Sequence, residues 1–149
     1  MNARAMKRLQ LGLPGDPLIL AGNFTATIDL HERIIVLNAA TMTVTLPRAN
    51  GSGTYLEFCL GIAAVSMIIK RGISTDVIRG NIFVGIDNST SGKSFASAST
   101  SNTITLNGST TGGANIGDSL VLVDQQAGVW SVAASIIGSG GIATPFSNT

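Results

Sequence analysis

Apolar and polar side chains alternate with a period of two through most of this chain. Phe24, Ala26, Ile28 and Leu30 alternate with Thr25, Thr27 and Asp29, as in a strand with one face buried and one wet. Met42, Val44 and Leu46 alternate with Thr41, Thr43 and Thr45 until Pro47, which has no N–H to give to a ladder and so ends the strand. Further strands are predicted at 33–37, 55–60, 65–71, 76–79, 81–86 and 103–107, with Gly80 splitting two of them. The runs 118–124 and 129–136, joined by Gln125-Gln126-Ala127-Gly128, form the clearest hairpin.

Between these runs, Asn50-Gly51-Ser52-Gly53 is a strong turn signal, and 107–113 reads as a turn-rich loop. Residues 87–102 are mostly Ser, Thr, Asn, Gly and Ala and predict a long polar loop. Residues 1–11 have the composition of a short helix, stopped by Gly12 and Pro14, and Pro14-Gly15-Asp16-Pro17 reads as a hinge. The predicted organisation is an N-terminal arm over 1–21, one domain over 22–137 and a C-terminal tail over 138–149. Short, regularly spaced strands with Gly and polar turns imply an all-β fold, an antiparallel β-sandwich or a jelly-roll-like barrel.

Charge changes this picture. Only 11% of the 149 residues are charged, nine Lys or Arg against eight Asp or Glu, and the net charge is +1. About a quarter is usual for soluble domains. The mean hydropathy is +0.39. Such a surface belongs in a membrane or against neighbouring subunits. The strongest apolar stretch, 56–69, spans 14 residues, contains Glu57 and runs into Lys70 and Arg71; a spanning helix needs about 20 apolar residues. The stretch 129–143 is interrupted by Gly138, Gly140 and Gly141, and the strands lack the long, regular rhythm of a membrane barrel. Arg4, Lys7 and Arg8 precede Leu9, Leu11 and Leu13 in the manner of an export signal, but Gly12, Pro14, Gly15, Asp16 and Pro17 break its apolar core. The expectation is a subunit made in the cytoplasm whose surface is covered by assembly.

Catalytic equipment is sparse. The one histidine, His31, sits in Asp29-Leu30-His31-Glu32-Arg33, which reads as a polar turn between strands. With Cys59 as the one cysteine, no common metal site can be completed. Cys59 lies in the apolar run 56–60 and is expected to be a small buried thiol. The carboxylates are scattered, and Asp118 and Asp124 bracket a predicted strand as strand-end acids commonly do; no pair is singled out for glycosidase chemistry. Gly92-Lys93-Ser94 imitates the end of a P-loop, but Asp87 stands where the motif needs its first glycine and no helix follows. No catalytic residue, cofactor or metal is expected.

Two groups of residues are candidates for contacts. Arg4, Lys7, Arg8, Leu9, Leu11 and Leu13 make a basic, partly apolar arm suited to gripping an acidic protein surface. Three cations without interleaved aromatics are too few for a nucleic-acid footprint. Trp130 and Val132, in the second strand of the hairpin, are candidates for the core or for a subunit interface.

The C-terminal half carries a resemblance. Thr103-Ile104-Thr105-Leu106-Asn107-Gly108-Ser109-Thr110-Thr111-Gly112-Gly113 leads to Gly117-Asp118, then Ala127-Gly128-Val129-Trp130-Ser131-Val132 and the tail Ala143-Thr144-Pro145-Phe146-Ser147. Upstream lie Val44-Thr45-Leu46-Pro47, Asn50-Gly51-Ser52-Gly53 and Tyr55. Over roughly 24–147 this is similar to a group of small structural proteins of tailed bacteriophages, among them capsid decoration or cement proteins and head-fibre or tail-associated proteins. The resemblance implies a subunit, often a homotrimer, seated on the outer capsid surface at threefold or quasi-threefold sites. Its partners would be the major capsid protein and itself, with no nucleic acid and no membrane. It offers no catalytic residues to carry over. The alternatives are a head-fibre or tail-fibre module that binds host receptors or glycans, a small glycan-degrading enzyme, and a bacterial adhesin domain.

Overall fold

The alternating runs become strands in a computed structural model, which describes residues 15–149. In chain order they are β1 (Leu18–Leu20), β2 (Phe24–Thr25), β3 (Arg33–Leu37), β4 (Thr41–Thr45), β5 (Tyr55–Leu60), β6 (Ser66–Lys70), β7 (Val77–Ile86), β8 (Gly92–Ala96), β9 (Thr103–Leu106), β10 (Ser119–Gln126), β11 (Val129–Gly138) and β12 (Phe146–Ser147). The helical content of the described residues is one 3-10 turn, Ile28–Leu30. The fold is all-β, as expected.

The strands form two sheets. Sheet A has the order β1-β3-β5-β10-β11-β7-β8, and sheet B the order β12-β9-β6-β4-β2. The expectation of antiparallel pairing holds for only part of each sheet. The first six strands alternate between the sheets, and each pairs parallel with the strand two before it: β1 with β3 and β3 with β5 in A, β2 with β4 and β4 with β6 in B. Parallel neighbours need a crossover. Here the crossover is a strand of the opposite sheet, so the N-terminal half winds as a two-sheet coil without helices. The second half closes it. β10 runs antiparallel to β5 and makes the expected hairpin with β11, and β9 runs antiparallel to β6. β11 then continues parallel to β7 over ten residue pairs.

Inward residues of both sheets share one core. Ile35, Leu56, Phe58, Leu120, Leu122 and Trp130 come from sheet A, and Met42, Val44, Met67, Ile69, Ile104 and Leu106 from sheet B. Each is flanked along its strand by less buried residues, so the period of two does set the faces.

Several boundaries differ from expectation. Leu18–Leu20, expected within the arm, pairs with Ile35–Leu37. Gly138 closes β11, and Phe146–Ser147 of the expected tail pairs with β9 and buries Phe146. Asn102 N–H also donates to Ser147 O at 3.0 Å. The strand expected over 24–30 stops after Thr25. Ile28 turns outward while Ala26 and Leu30 stay buried, because the 3-10 turn breaks the period. Part of the expected loop 87–102 is strand β8, an edge strand antiparallel to β7.

Gly80 does not split its strand. It sits inside β7 opposite Val132, with φ +141°, and a Cβ there would lie 2.0 Å from the Val132 carbonyl oxygen. Both the backbone conformation and the contact exclude a side chain. Gly80→Ala should therefore cost at least about 2 kcal/mol, read as a lower urea midpoint with an unchanged slope.

Candidate interaction surfaces

Of the sequence-predicted contact residues, Arg4, Lys7, Arg8, Leu9, Leu11 and Leu13 lie outside the described residues. Trp130 and Val132 are buried within the single chain, at 0% and 5% exposure. Trp130 Nε1–H donates to Pro47 O at 3.0 Å, which satisfies its one polar atom and ties β11 to the loop after β4.

The residues weighed for chemistry lie apart from one another in the fold, on the turn before β3, on β5 and on β8. His31 Nδ1 accepts the Tyr55 N–H at 2.9 Å, fixing the turn that enters β3 against the start of β5. Cys59 is not buried as expected. Leu56, Phe58 and Leu60 face the core, so parity turns Cys59 outward, where it is half-buried beside Glu57. Burial, and then the Glu57 charge, push its thiol pKa up, opposite to what a nucleophile needs. Gly92-Lys93-Ser94 lies in an edge strand, with no helix N-terminus to hold phosphate. Among the described residues no three His, Cys, Asp or Glu side chains come together as metal ligands, and no helix is long and apolar enough to cross a membrane.

Asp118, just before β10, and Asp124, inside it near its end, are both buried. Asp118 accepts the Ile137 N–H at 2.9 Å. Burial raises its pKa, against the lowering effect of the backbone donors. Asp124 receives the N–H groups of Asn50, Gly51 and Ser52 at 3.1, 2.8 and 2.9 Å, and the Ser52 hydroxyl at 2.6 Å. Asp76 takes the preceding amide, Ala49 N–H, at 2.9 Å. Two buried carboxylates thus hold four successive amides of one loop. The sequence shows the turn, in Asn50-Gly51-Ser52-Gly53, but not its distant anchors.

The motifs that carry the phage resemblance map onto parts of β4, β9, β11 and β12 and onto the turns beside them. Asn107 Oδ1 accepts the N–H groups of Ser109 and Thr111 at 2.9 and 3.0 Å, shaping the loop that follows β9. Ala127-Gly128 is the hairpin tip, with Gly128 at φ +79°. Pro145 O accepts the Thr105 N–H at 2.9 Å, just before β12.

The outer face of sheet A carries several exposed apolar side chains. One row across the sheet reads Ile19, Val36, Cys59, Ser119, Ser135, Phe83. The next reads Ile34, Glu57, Val121, Ala133, Asn81. Ile19, Ile34 and Phe83 are 64%, 37% and 42% exposed. The half built from β1, β3, β5 and β10 is mostly aliphatic, with Cys59, Ser119 and Glu57 as the exceptions and Glu57 as the charge in these rows. Natural sheets commonly leave such a face polar when it meets water. No family model, curated protein or solved structure matches the chain.

Proposed function

We propose that this chain is a non-enzymatic structural subunit of a tailed-phage virion, a decoration or cement protein that binds the outer capsid surface and stabilises the shell. The observation that carries the reading is the aliphatic outer face of sheet A in a chain with few charges. Interface cores are depleted of charge in the same way. The seven strands of the sheet, three to ten residues long at about 3.3 Å each and about 4.8 Å apart, offer on the order of 700 Å², about half of it on the aliphatic side. One partner's share of a standard interface is about 800 Å². Three such faces turned to a common axis make a homotrimer with its apolar halves inside. A β-sandwich or jelly-roll-like description suits two sheets around one core, with the parallel coil of the first half as a departure from it.

The mechanism is physical. A subunit that binds the assembled shell and not its dissociated parts stabilises the shell by mass action. A trimer adds avidity, because the second and third feet bind at high effective concentration once the first has docked. The arm, with Arg4, Lys7 and Arg8, would lie along the major capsid protein.

The test has two parts. In solution the wild type should have three times the 15.2 kDa chain mass, and Ile34→Lys should release monomers with unchanged far-UV circular dichroism. A wild-type monomer at high concentration would overturn the trimer. On purified particles the protein should be present in hundreds of copies, with occupancy reduced by deletion of residues 2–12. A handful of copies confined to the tail would overturn the cement role.

A further inference from the structure

The outer face of sheet B is chemically unlike that of sheet A. The row at the end of the sheet where β4 and β6 stop reads Thr25, Thr45, Lys70, Thr103, Ser147 across all five strands. Two open hollows lie on it. One, of about 320 Å³, is lined by Asn23, Phe24, Thr25, Thr43, Thr45 and Lys70. The other, of about 440 Å³, runs from Thr45 and Lys70 past Arg71 and Ser74 to Asn102 and Thr103. Thr45 and Lys70 belong to both, so the hollows form one trough that passes over the Lys70 ammonium.

Three features define what the trough can hold. First, no Asp or Glu lines it, its far end being closed by Thr149, the last described residue, beside Arg71, and Lys70 has no ion-pair partner among the described residues. Arg71 is a second cation nearby, but it is already engaged, donating from Nη1 to Ser74 O at 2.6 Å and from Nη2 to Thr149 O at 3.3 Å, so Lys70 is the cation left to a ligand. Secondly, the hydroxyls of Thr25, Thr43 and Thr45 make no hydrogen bond within the described chain. Elsewhere such side chains are engaged: Asn107 bonds to Thr110, and Ser52 to Thr54. Thirdly, the free hydroxyls stand on two neighbouring strands about 4.8 Å apart, Thr25 on β2 and Thr43 and Thr45 two residues apart on β4, and do not converge on a point. That spacing suits a ligand with polar groups along its length better than a single inorganic anion. Each hollow falls within the roughly 300–1,000 Å³ of small-ligand sites. Phe24, half-buried at one end, supplies an apolar wall. A nucleic acid would need more cations and a run of stacking aromatics.

We propose that this trough binds a carboxylate-bearing oligosaccharide, with the carboxylate on Lys70 and sugar hydroxyls on Thr25, Thr43 and Thr45. The site lies on the opposite sheet from the proposed subunit face, and its chemistry does not depend on oligomeric state or on the capsid. The two readings can therefore fail separately.

The full chain is titrated by calorimetry at low salt with tetragalacturonate, with an oligomer of sialic acid, and with neutral maltotetraose. An acidic probe should bind and maltotetraose should not. Lys70→Gln should weaken binding about tenfold, the loss of one charge-assisted contact. Thr45→Val should weaken it less, and Lys93→Gln, on β8 of sheet A, should leave it unchanged. Both mutated trough residues are on the surface, so folding can be checked directly by circular dichroism. Absence of binding by both acidic probes at millimolar concentration, equal binding of maltotetraose, or full binding by Lys70→Gln would each overturn the proposal.

Discussion

Trp130→Ala should lose about 3–5 kcal/mol of stability, among the largest effects of any single truncation in this chain. The indole is fully buried. It stands in register with Ile78 on one side and Asp124 on the other, at the end of sheet A where the loop after β4 folds over the core. Truncation opens a cavity and also leaves Pro47 O without the Nε1–H that it accepts at 3.0 Å. Trp130→Phe separates these effects. It keeps most of the apolar volume and loses the hydrogen bond, so it should cost about 1–3 kcal/mol. Domains of this size have only about 5–15 kcal/mol to lose, so the alanine variant should be partly unfolded at 37 °C. Urea unfolding followed by far-UV circular dichroism is the measurement, since Trp130 is the one tryptophan and its fluorescence is lost in both variants. Protein concentration must be held fixed, because assembly would add to apparent stability. A cost below about 1 kcal/mol for the alanine variant would show that the site collapses around the missing ring.

The strand faces were legible in the sequence because they depend only on local alternation. Thr41 to Thr45 and the β10–β11 hairpin follow the pattern almost residue for residue. Strand direction was not legible. An outward Thr and an inward Val look the same whether the neighbouring strand runs parallel or antiparallel, and the arches between sheets have the composition of hairpin turns. β1 was hidden behind Pro14 and Pro17. β8 was hidden because both of its faces are largely exposed, which leaves Gly92 to Ala96 without an apolar rhythm. The surfaces proposed for contacts were less legible still. Thr25, Thr45 and Lys70 are neighbours only because β2, β4 and β6 lie side by side, and the aliphatic face of sheet A draws on strands from both halves of the chain. Neither leaves a motif in a linear reading. The resemblance to phage structural proteins rests on turn and strand residues, which in the structure shape turns and lie in β4, β9, β11 and β12.

Asp124→Ala should cost at least about 3 kcal/mol, and its effect should depend on pH. The carboxylate accepts three backbone amides of the loop Asn50 to Ser52 together with the Ser52 hydroxyl. Alanine leaves all of these donors unpaired, and water can reach only some of them because the site is buried. Asp124→Asn retains one acceptor oxygen but not the charge, so a smaller loss of about 1–3 kcal/mol is expected. Burial alone would raise the Asp124 pKa, but the Ser52 hydroxyl and the three amides outweigh it and hold the carboxyl below its ordinary 3.8. The folded state therefore binds this proton less readily than the unfolded state. The resulting stability is fully present above the ordinary carboxylate range and is lost as pH falls through the lowered value. Asp118 has the opposite sign. Burial raises its pKa above 3.8, so its contribution is greatest in acid and declines as pH rises through the raised value. The wild-type curve mixes the two, and the difference between wild type and Asp124→Asn isolates Asp124. That difference should shrink as pH is lowered from 6 towards 3, about the ordinary carboxylate range. A difference independent of pH would mean that the loop is held by its backbone contacts, Gly53 N–H to Asp124 O and Gly128 N–H to Ala49 O, and not by the carboxylate. Because Trp130 holds Pro47 at the other end of the same loop, the double variant Trp130→Phe, Asp124→Asn should lose less than the sum of its parts. Once either anchor is gone, the loop has already given up much of what the other secures.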